Sequence, residues 1–289
     1  MKIGLLGTGL MGEPMALRLQ ECGHGVVAYN RTPAKLQSLV AQGIETKATP
    51  AALLSECDCV ILMVSDAAAI AATLLTPEAK SALAHRTVIQ MGTIAPDESR
   101  AFLVQVEGAG GTYLEAPVLG SIPQVKTGSL MVMVGSTPDQ FQQWQPVLQC
   151  LGEPVMHLGP VGAGAAVKLA MNQLIGSLTT AFALSLALVQ CEHIDVEAFM
   201  QIVRGSALYA PTFDKKLERM LNRNFDNPNF PTKHLLKDMN LFSQAATAAG
   251  LSPELAKSVA TVAEHAIAQG LADQDYSALY AAVNPETGQ

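Results

Sequence analysis

A lysine stands one helical turn before an asparagine in a long segment that is otherwise uncharged. Lys168 and Asn172 lie four residues apart where an apolar stretch, Leu169–Cys191, begins, and this spacing places both side chains on one face of a helix. An ammonium group can protonate a carbonyl oxygen that receives a hydride and can stabilise the alkoxide that forms. Asn172 could hold the lysine or the substrate by a hydrogen bond. The alternative is a lysine that extends from the helix start into solvent.

A glycine-rich turn near the start of the chain is the second candidate site. It follows the apolar run Lys2–Leu6 and opens a helical pattern, which is the context of a dinucleotide-binding βαβ unit. In such a unit the backbone of the turn and the helix N-terminus face the pyrophosphate. The cofactor-binding residues predicted in this turn are Gly7, Thr8, Gly9, Leu10, Met11 and Gly12.

The residues after the second predicted strand indicate which dinucleotide is bound. An NAD site normally ends this strand with an acid that binds the ribose hydroxyls, but this chain has Asn30, followed by Arg31 and Thr32. Arg31 could pair with a 2′-phosphate, and Asn30 and Thr32 could donate hydrogen bonds to it. The sequence therefore predicts NADP(H) rather than NAD(H).

Short apolar strands alternate with helical runs from residue 1 to about 158, which is typical of a doubly wound parallel sheet that later antiparallel strands can extend. The predicted strands are Lys2–Leu6, Val26–Tyr29, Cys59–Val64, Thr87–Gln90, Tyr113–Glu115, Leu130–Val134 and Pro154–His157. The predicted helices between them are Met11–Cys22, Pro33–Ala41, Ala67–Leu74, Pro96–Val106 and Pro138–Cys150.

Beyond Gly164 the pattern changes to successive helical periodicities. They cover roughly 165–191, 195–204, 212–222, 232–249, 253–269 and 275–282. We therefore predict a Rossmann-type α/β domain over residues 1–162, which binds the cofactor, and an all-α domain over residues 163–289.

Bulk properties exclude several classes of protein. The 289 residues carry a formal net charge of −7 and no basic block, which disfavours binding to nucleic acid. An odd number of cysteines in mostly apolar surroundings is typical of reduced thiols in the cytoplasm, and no spacing suggests a metal site. We expect no signal peptide, because the first strand begins at once.

The uncharged stretch Leu169–Cys191 is long enough to span a bilayer. Polar residues interrupt it on several faces, so we predict a helix buried between domains or subunits and no membrane contact.

Two further segments carry polar groups that alone say little about function. Glu115–Ser121 follows a strand and could offer backbone N–H groups to an anionic substrate, although it is also an ordinary loop. In the segment Phe230–Asp238, Lys233 and Lys237 share one helical face beside Asp238, as they would on a solvated surface.

Taken together in this order, the four segments resemble the β-hydroxyacid dehydrogenase family over essentially the whole chain. The resemblance implies that Lys168 is catalytic beside Asn172, that Val64 and Ser65 lie by the cofactor ribose, and that Thr93 lies near the nicotinamide and the substrate. It also implies that Lys237 and Asp238 close the site, with Lys237 contacting the cofactor and Asp238 the substrate. Phe230 is implied to line the substrate pocket. The substrate loop that it implies contains Pro117, Val118, Leu119, Gly120 and Ser121.

Within the family, the segments Asn30–Thr32, Glu115–Val118 and Phe230–His234 look most like the glyoxylate/succinic semialdehyde reductases. One departure is Leu119, where the family usually has a serine that can contact the substrate carboxylate. The loss could favour a longer substrate such as succinic semialdehyde over glyoxylate.

The implied activity is NADPH-dependent reduction of small aldehyde or keto acids, with succinic semialdehyde giving 4-hydroxybutyrate and glyoxylate giving glycolate. We also expect a homo-oligomer. The alternatives are a 3-hydroxyisobutyrate-type oxidising dehydrogenase, which the missing acid at Asn30 disfavours, an imine reductase, and a non-catalytic NADP-binding scaffold, against which Lys168 and Asn172 count.

Overall fold

The computed structural model describes residues 1–285, and the chain divides into two compact units. The first unit is Met1–Leu169, and the second begins at Ala170. One helix, Ala163–Cys191, starts in the first unit and continues in the second. The domain division predicted after residue 162 falls at the start of this helix, and it stays a prediction.

A nine-stranded sheet forms the centre of the first unit. Its strands are β1 (Lys2–Leu6), β2 (Gly25–Tyr29), β3 (Glu45–Thr46), β4 (Cys59–Leu62), β5 (Thr87–Gln90), β6 (Thr112–Glu115), β7 (Val118–Leu119), β8 (Met131–Gly135) and β9 (Val155–Gly159). The order is β3-β2-β1-β4-β5-β6-β8-β7, with β9 on β8. Pairing is parallel from β3 to β6, β8 runs antiparallel to β6 and β7, and β9 runs parallel to β8. The Rossmann-type α/β fold predicted from the sequence is confirmed.

Helices cover both faces of this sheet. They are α1 (Gly12–Glu21), α2 (Gln37–Ala41), α3 (Pro50–Glu56), α4 (Ala67–Leu74), α5 (Pro77–Ser81), α6 (Pro96–Glu107), α7 (Ile122–Thr127) and α8 (Pro138–Leu151), and a 3₁₀ turn, Pro33–Leu36, precedes α2. Successive residues of one strand enter opposite apolar clusters: Leu5 lies in one and Leu6 in the other. Because both faces are buried, these strands read as continuous apolar runs.

Side-chain caps define where several of these helices begin. Thr49, Asp66, Thr76 and Thr137 each accept a hydrogen bond from the first turn of the helix that follows. Each of the three threonine caps is followed by a proline, whose fixed φ suits the first position of a helix.

The second unit is helical, as predicted. Beyond α9 (Ala163–Cys191) it contains α10 (Val196–Gly205), α11 (Pro211–Leu221), α12 (Thr232–Ala248), α13 (Glu254–Ala268), the 3₁₀ turn Tyr276–Ala278 and α14 (Leu279–Val283). Phe182 stacks on Phe213 at 4.6 Å between ring centroids, and Lys216 pairs with the buried Asp275 at 2.7 Å. These contacts join α9 to α11 and α11 to the start of the 3₁₀ turn.

Helix α9 is long and apolar enough to cross a membrane by length and composition, with a mean hydropathy of 1.8 over its most apolar window. One third of that window, 33%, is buried within the chain. The expected absence of membrane contact and the cytoplasmic location stay predictions.

Candidate active site

The glycine turn has the geometry that a bound pyrophosphate requires. Gly7 has a φ of +100°, and a Cβ there would lie 2.3 Å from the Met63 carbonyl oxygen. A Cβ on Gly12 would lie 1.9 Å from the Gly7 oxygen, whereas a Cβ on Gly9 would meet no described atom within 4 Å. Helix α1 has no side-chain cap. The first and third glycines therefore allow the turn to close, and the second leaves room for a ligand at an uncapped helix N-terminus.

Asn30 links this turn to the end of β2. Its Nδ2 donates a 2.9 Å hydrogen bond to the Thr8 hydroxyl, and its Oδ1 accepts one of 2.8 Å from the Thr32 backbone N–H. The Thr8 hydroxyl in turn donates to the Lys35 carbonyl oxygen at 3.3 Å. The amide of Asn30 therefore orders the residues at the end of β2 and in the glycine turn, a role that sequence reasoning did not assign to it.

Lys35 was missed by the sequence analysis. It lies in the 3₁₀ turn after Thr32 and lines a groove of about 580 Å³ that also borders Thr8, Gly9 and Leu10. A second cation, Lys126, borders the same groove. The signal in the sequence was a lysine one helical turn after Arg31.

The loops after β4 and β5 meet at the carboxyl edge of the sheet. Gln90 fixes the second loop, because its side chain bonds both the N–H and the carbonyl oxygen of Gly92. A Cβ on Gly92 would lie 2.7 Å from the Val64 carbonyl oxygen, so a glycine is needed for the two loops to approach. Ser65 and Thr93 directly follow these close points, where ligands bind in open α/β sheets.

The predicted substrate loop contains a short strand and a helix cap. Val118 is 4% exposed and packs in the core, so its side chain is not available to a ligand. Leu119 is half-buried and pairs with Met131 across β7 and β8. Gly120 has a φ of +134°. Ser121 is the N-cap residue of α7, and its N–H and its hydroxyl both donate to the side-chain oxygen of Gln124.

Pro117 is buried at the start of this loop. Its carbonyl oxygen accepts a 2.9 Å hydrogen bond from the Met133 N–H. The loop is therefore held to β8 at its first residue.

Lys168 and Asn172 occupy successive turns of α9, as predicted. Asn172 is 2% exposed, and its Nδ2 donates a 2.6 Å hydrogen bond to Oδ2 of Asp238 on α12. Lys237 Nζ lies 3.0 Å from the other oxygen of that carboxylate. The structure thus brings Asn172 together with the neighbouring residues Lys237 and Asp238, which lie more than 60 positions further along the sequence.

Phe230 is half-buried before α12, and its ring meets that of Tyr276 edge-to-face at 5.6 Å. Its carbonyl oxygen accepts a 3.0 Å hydrogen bond from the Tyr276 N–H. Lys233, by contrast, pairs with the exposed Asp273 at 2.5 Å. Burial, with Lys237 and Lys233 nearby, lowers the pKa of His234.

Comparison with known proteins shows the family of the chain. Residues 2–159 match the family model of the NAD binding domain of 6-phosphogluconate dehydrogenase, and residues 162–283 match the model described as NAD-binding of NADP-dependent 3-hydroxyisobutyrate dehydrogenase. Glyoxylate/succinic semialdehyde reductase 1 of Arabidopsis thaliana is 30% identical over 285 residues, which are 98% of each chain. The chain belongs to the β-hydroxyacid dehydrogenase family.

A further relative supports the same assignment, and a solved structure shares the fold. The 2-hydroxy-3-oxopropionate reductase of Escherichia coli (strain K12) is 31% identical, with 98% of this chain and 97% of that protein covered. A structure of Mycobacterium tuberculosis 3-hydroxyisobutyrate dehydrogenase with L-serine has a TM-score of 0.87 and 24% identity, over 96% of this chain and 97% of that one.

The family prediction made from the sequence is confirmed, and the protein is an oxidoreductase. It uses a nicotinamide dinucleotide and acts on a small molecule. The fold match with the solved structure extends over 96% of the chain.

Proposed function

We propose that the protein is an NADPH-dependent reductase of small aldehyde or keto acids, with succinic semialdehyde and glyoxylate as its substrates. The observation that carries this proposal is the placement of Lys168 one turn before Asn172, whose amide is buried and held by Asp238. This arrangement supplies a proton donor beside a fixed hydrogen-bonding group. A scaffold protein has no need of it.

The cofactor preference rests on the end of β2. No acid stands there, Arg31 and Lys35 are both exposed, and Lys35 lines the groove that borders Thr8 and Gly9. Two cations at the end of β2 can pair with the 2′-phosphate of NADP(H), whereas the adenosine ribose of NAD(H) offers them no anionic partner. Since Asn30 is committed to Thr8 and Thr32, Arg31 and Lys35 are the stronger candidates for phosphate contacts.

Bound NADPH supplies the hydride that reaches the carbonyl carbon. Lys168 donates a proton to the carbonyl oxygen, and its positive charge stabilises the developing alkoxide before the proton moves. Asn172, fixed by Asp238, provides a rigid polar group one turn from Lys168. The backbone of the loop from Pro117 to Ser121, together with Thr93, receives the substrate carboxylate.

Replacement of Lys168 tests this mechanism. We expect Lys168→Ala to lower the turnover number by about 10²-fold or more, as the loss of a positioned proton donor does. NADPH affinity should stay close to that of the wild type, since the glycine turn and Arg31 are unchanged. Lys168→Arg should also be poor, because a guanidinium keeps the charge but is too weak an acid.

The measurements are fluorescence titration with NADPH and single-turnover reduction of succinic semialdehyde. A Lys168→Ala protein that binds NADPH and turns over at nearly the wild-type rate contradicts the proposal. Efficient NAD⁺-dependent oxidation of a β-hydroxyacid with no NADPH-dependent reduction would favour the oxidising dehydrogenase instead.

We also propose that the protein is a homo-oligomer. Along α9 an apolar stripe is exposed, formed by Leu174, Leu178, Leu184 and Leu188 at helical spacing. Such a continuous stripe is normally covered by another surface, and a second copy of the chain would cover it symmetrically.

Light scattering coupled to size exclusion tests this proposal. We expect a dimer or larger for the wild type and a smaller species for Leu184→Glu/Leu188→Glu. Leu251→Glu is the matched control, because Leu251 is equally exposed but lies outside the stripe. A monomeric wild type would contradict the proposal.

A further inference from the structure

Glu115 ends β6 and is almost fully buried, at 1% exposure. Its Oε1 accepts hydrogen bonds from the backbone N–H groups of Gly162, at 2.8 Å, and Ala165, at 3.0 Å. Its Oε2 accepts one from the Ser99 hydroxyl, which also contacts the hydroxyl of Tyr113 at 2.9 Å. One carboxylate therefore joins the end of a central strand to the start of helix α9.

The start of α9 has no anion or capping side chain of its own. Its first residues, from Ala163 to Ala166, are alanine and glycine, and its first turn contains no acid. The N-terminal N–H groups of a helix lack intrahelical partners and carry partial positive charge. The Glu115 carboxylate meets this need from another element of the unit.

The surroundings of Glu115 are shaped to admit it. A Cβ on Gly135 would lie 2.5 Å from Oε1 of Glu115. A Cβ on Gly164 would lie 3.2 Å from the same oxygen and 2.5 Å from the Met133 carbonyl oxygen. Positions 135 and 164 must therefore be glycine for the Glu115 carboxylate to reach the start of α9.

Burial raises the pKa of Glu115, and the hydrogen bonds from Ser99, Ala165 and Gly162 act in the opposite direction without cancelling the increase. Burying this acid costs stability. Because the space around this buried acid is shaped to hold it, we expect the acid to have a function that offsets this cost.

The hydrogen bond between Glu115 and Ala165 joins two segments that carry residues of the proposed mechanism. Lys168 follows the anchored Ala165 by three residues on the same helix, and the substrate loop begins at Pro117, two residues after Glu115. We propose that Glu115 is a positioning residue for the reduction: its carboxylate fixes the first turn of α9 and thereby sets the place of the Lys168 ammonium relative to the substrate loop. This inference rests on the proposed role of Lys168.

The test compares three substitutions of Glu115. Glu115→Gln keeps an oxygen for Gly162 and Ala165 and can donate to the Ser99 hydroxyl, so we expect nearly wild-type kcat. Glu115→Asp keeps the charge but is one methylene too short, and Glu115→Ala removes the anchor. For both we expect kcat to fall by up to about 10²-fold, which a misplacement of about 1 Å can cause, with NADPH affinity unchanged. Ser99→Ala removes the hydroxyl that contacts Oε2 and Tyr113 but leaves both N–H bonds to Oε1, so its kcat should be like that of the wild type.

A double-variant cycle separates positioning from a general loss of structure. In a Lys168→Ala background, Glu115→Asp should cause no further loss of single-turnover rate, because the group that it positions is gone. Equal losses with and without Lys168 would overturn the inference, as would wild-type kcat in Glu115→Asp and Glu115→Ala. Because Glu115→Ala can fail to fold, Glu115→Asp carries the test in that case.

Hydrogen exchange supplies a readout that does not depend on activity. We expect amides at the start of α9 to exchange faster in Glu115→Asp than in wild type or Glu115→Gln, and unchanged exchange would overturn the inference. A Lys168→Ala protein with wild-type turnover would refute the proposed function, and this inference with it. An impaired Lys168→Ala protein beside a fully active Glu115→Asp protein would refute this inference alone.

Discussion

Asn172 donates a 2.6 Å hydrogen bond to Asp238, and both side chains are buried. The other oxygen of the Asp238 carboxylate, Oδ1, lies 3.0 Å from Lys237 Nζ. A buried carboxylate is tolerated only when it is paired. Asn172 therefore does more than stand beside the proposed proton donor: it also satisfies an acid that the second unit holds out of water.

Replacement of Asn172 should reveal this dependence. We expect Asn172→Ala to reduce the free energy of unfolding by about 1–3 kcal/mol, because a buried acceptor loses its donor. Chemical denaturation measures the change, and Gln173→Ala, which removes a neighbouring part-buried amide bonded to Ser177, is the control. A loss no greater than that of the control would mean that Asp238 is satisfied without Asn172.

Asn172→Asp should make stability depend on pH. Two carboxylates would then share one buried place, and the pKa of one of them would rise. A group whose folded pKa is raised stabilises at low pH, and that contribution is lost as pH rises through the folded value. We expect Asn172→Asp to be far less stable relative to wild type at pH 8 than at pH 5, and Asn172→Asp/Asp238→Asn to recover much of the loss. A constant difference across pH would argue against the contact.

Arg31→Asp should weaken the use of NADPH more than that of NADH. The lost pairing with a 2′-phosphate is worth on the order of 1.5–3 kcal/mol for a charge-assisted hydrogen bond, and the new carboxylate repels the phosphate. Lys35→Ala should cause a smaller change in the same direction. Steady-state kinetics with both cofactors measure the ratio, and Lys80→Asp, on α5, controls for the same change in net charge. An unchanged NADPH/NADH ratio would place the phosphate elsewhere.

Leu119→Ser should lower KM for glyoxylate more than for succinic semialdehyde. A serine hydroxyl at this place can bind the substrate carboxylate, and the shorter substrate has fewer other contacts to rely on. Leu119→Ala provides the control for the loss of apolar volume without a new hydroxyl. Equal changes in KM for both substrates would remove this explanation of the leucine.

Glu115→Gln should change the pH dependence of stability. The pKa of Glu115 is raised above its ordinary value of 4.5, so the folded protein binds this proton more tightly than the unfolded chain does. Wild-type stability therefore falls as pH increases from about 4.5 through the raised pKa, and the glutamine cannot lose a proton. We expect thermal unfolding to show Glu115→Gln gaining stability relative to wild type across that interval, whereas Ser99→Ala should not. A parallel pH profile for the two proteins would contradict the raised pKa.

Much of the fold follows from local patterns in the sequence. The strand runs Lys2–Leu6 and Thr87–Gln90 have the bounds that the structure shows, because a strand buried on both faces is a short apolar run between turn residues. The glycine spacing in Gly7–Gly12 and the helical periodicity beyond Gly164 are equally local. The sequence also indicated that Lys168 and Asn172 share a helix face, since helical geometry alone relates residues four apart.

Short elements could not be predicted in this way. Strands β3 and β7 have two residues each, too few to show a period. Helices α3 and α5 have seven and five residues, and what marks them is a threonine cap followed by proline rather than a hydrophobic pattern. Their presence depends on packing against the sheet.

The partners of the candidate residues were decided by tertiary structure. Asn30 was read as a phosphate donor, but its amide reaches Thr8, 22 positions away, because β1 and β2 end side by side. The contacts of Asn172 with Asp238 and of Glu115 with Ala165 join residues 66 and 50 positions apart. The sequence by itself determined which elements form and which side chains they carry, since these follow from interactions between near neighbours. Only the folded chain could decide which buried carboxylate meets which donor, because that pairing depends on distant segments packed together.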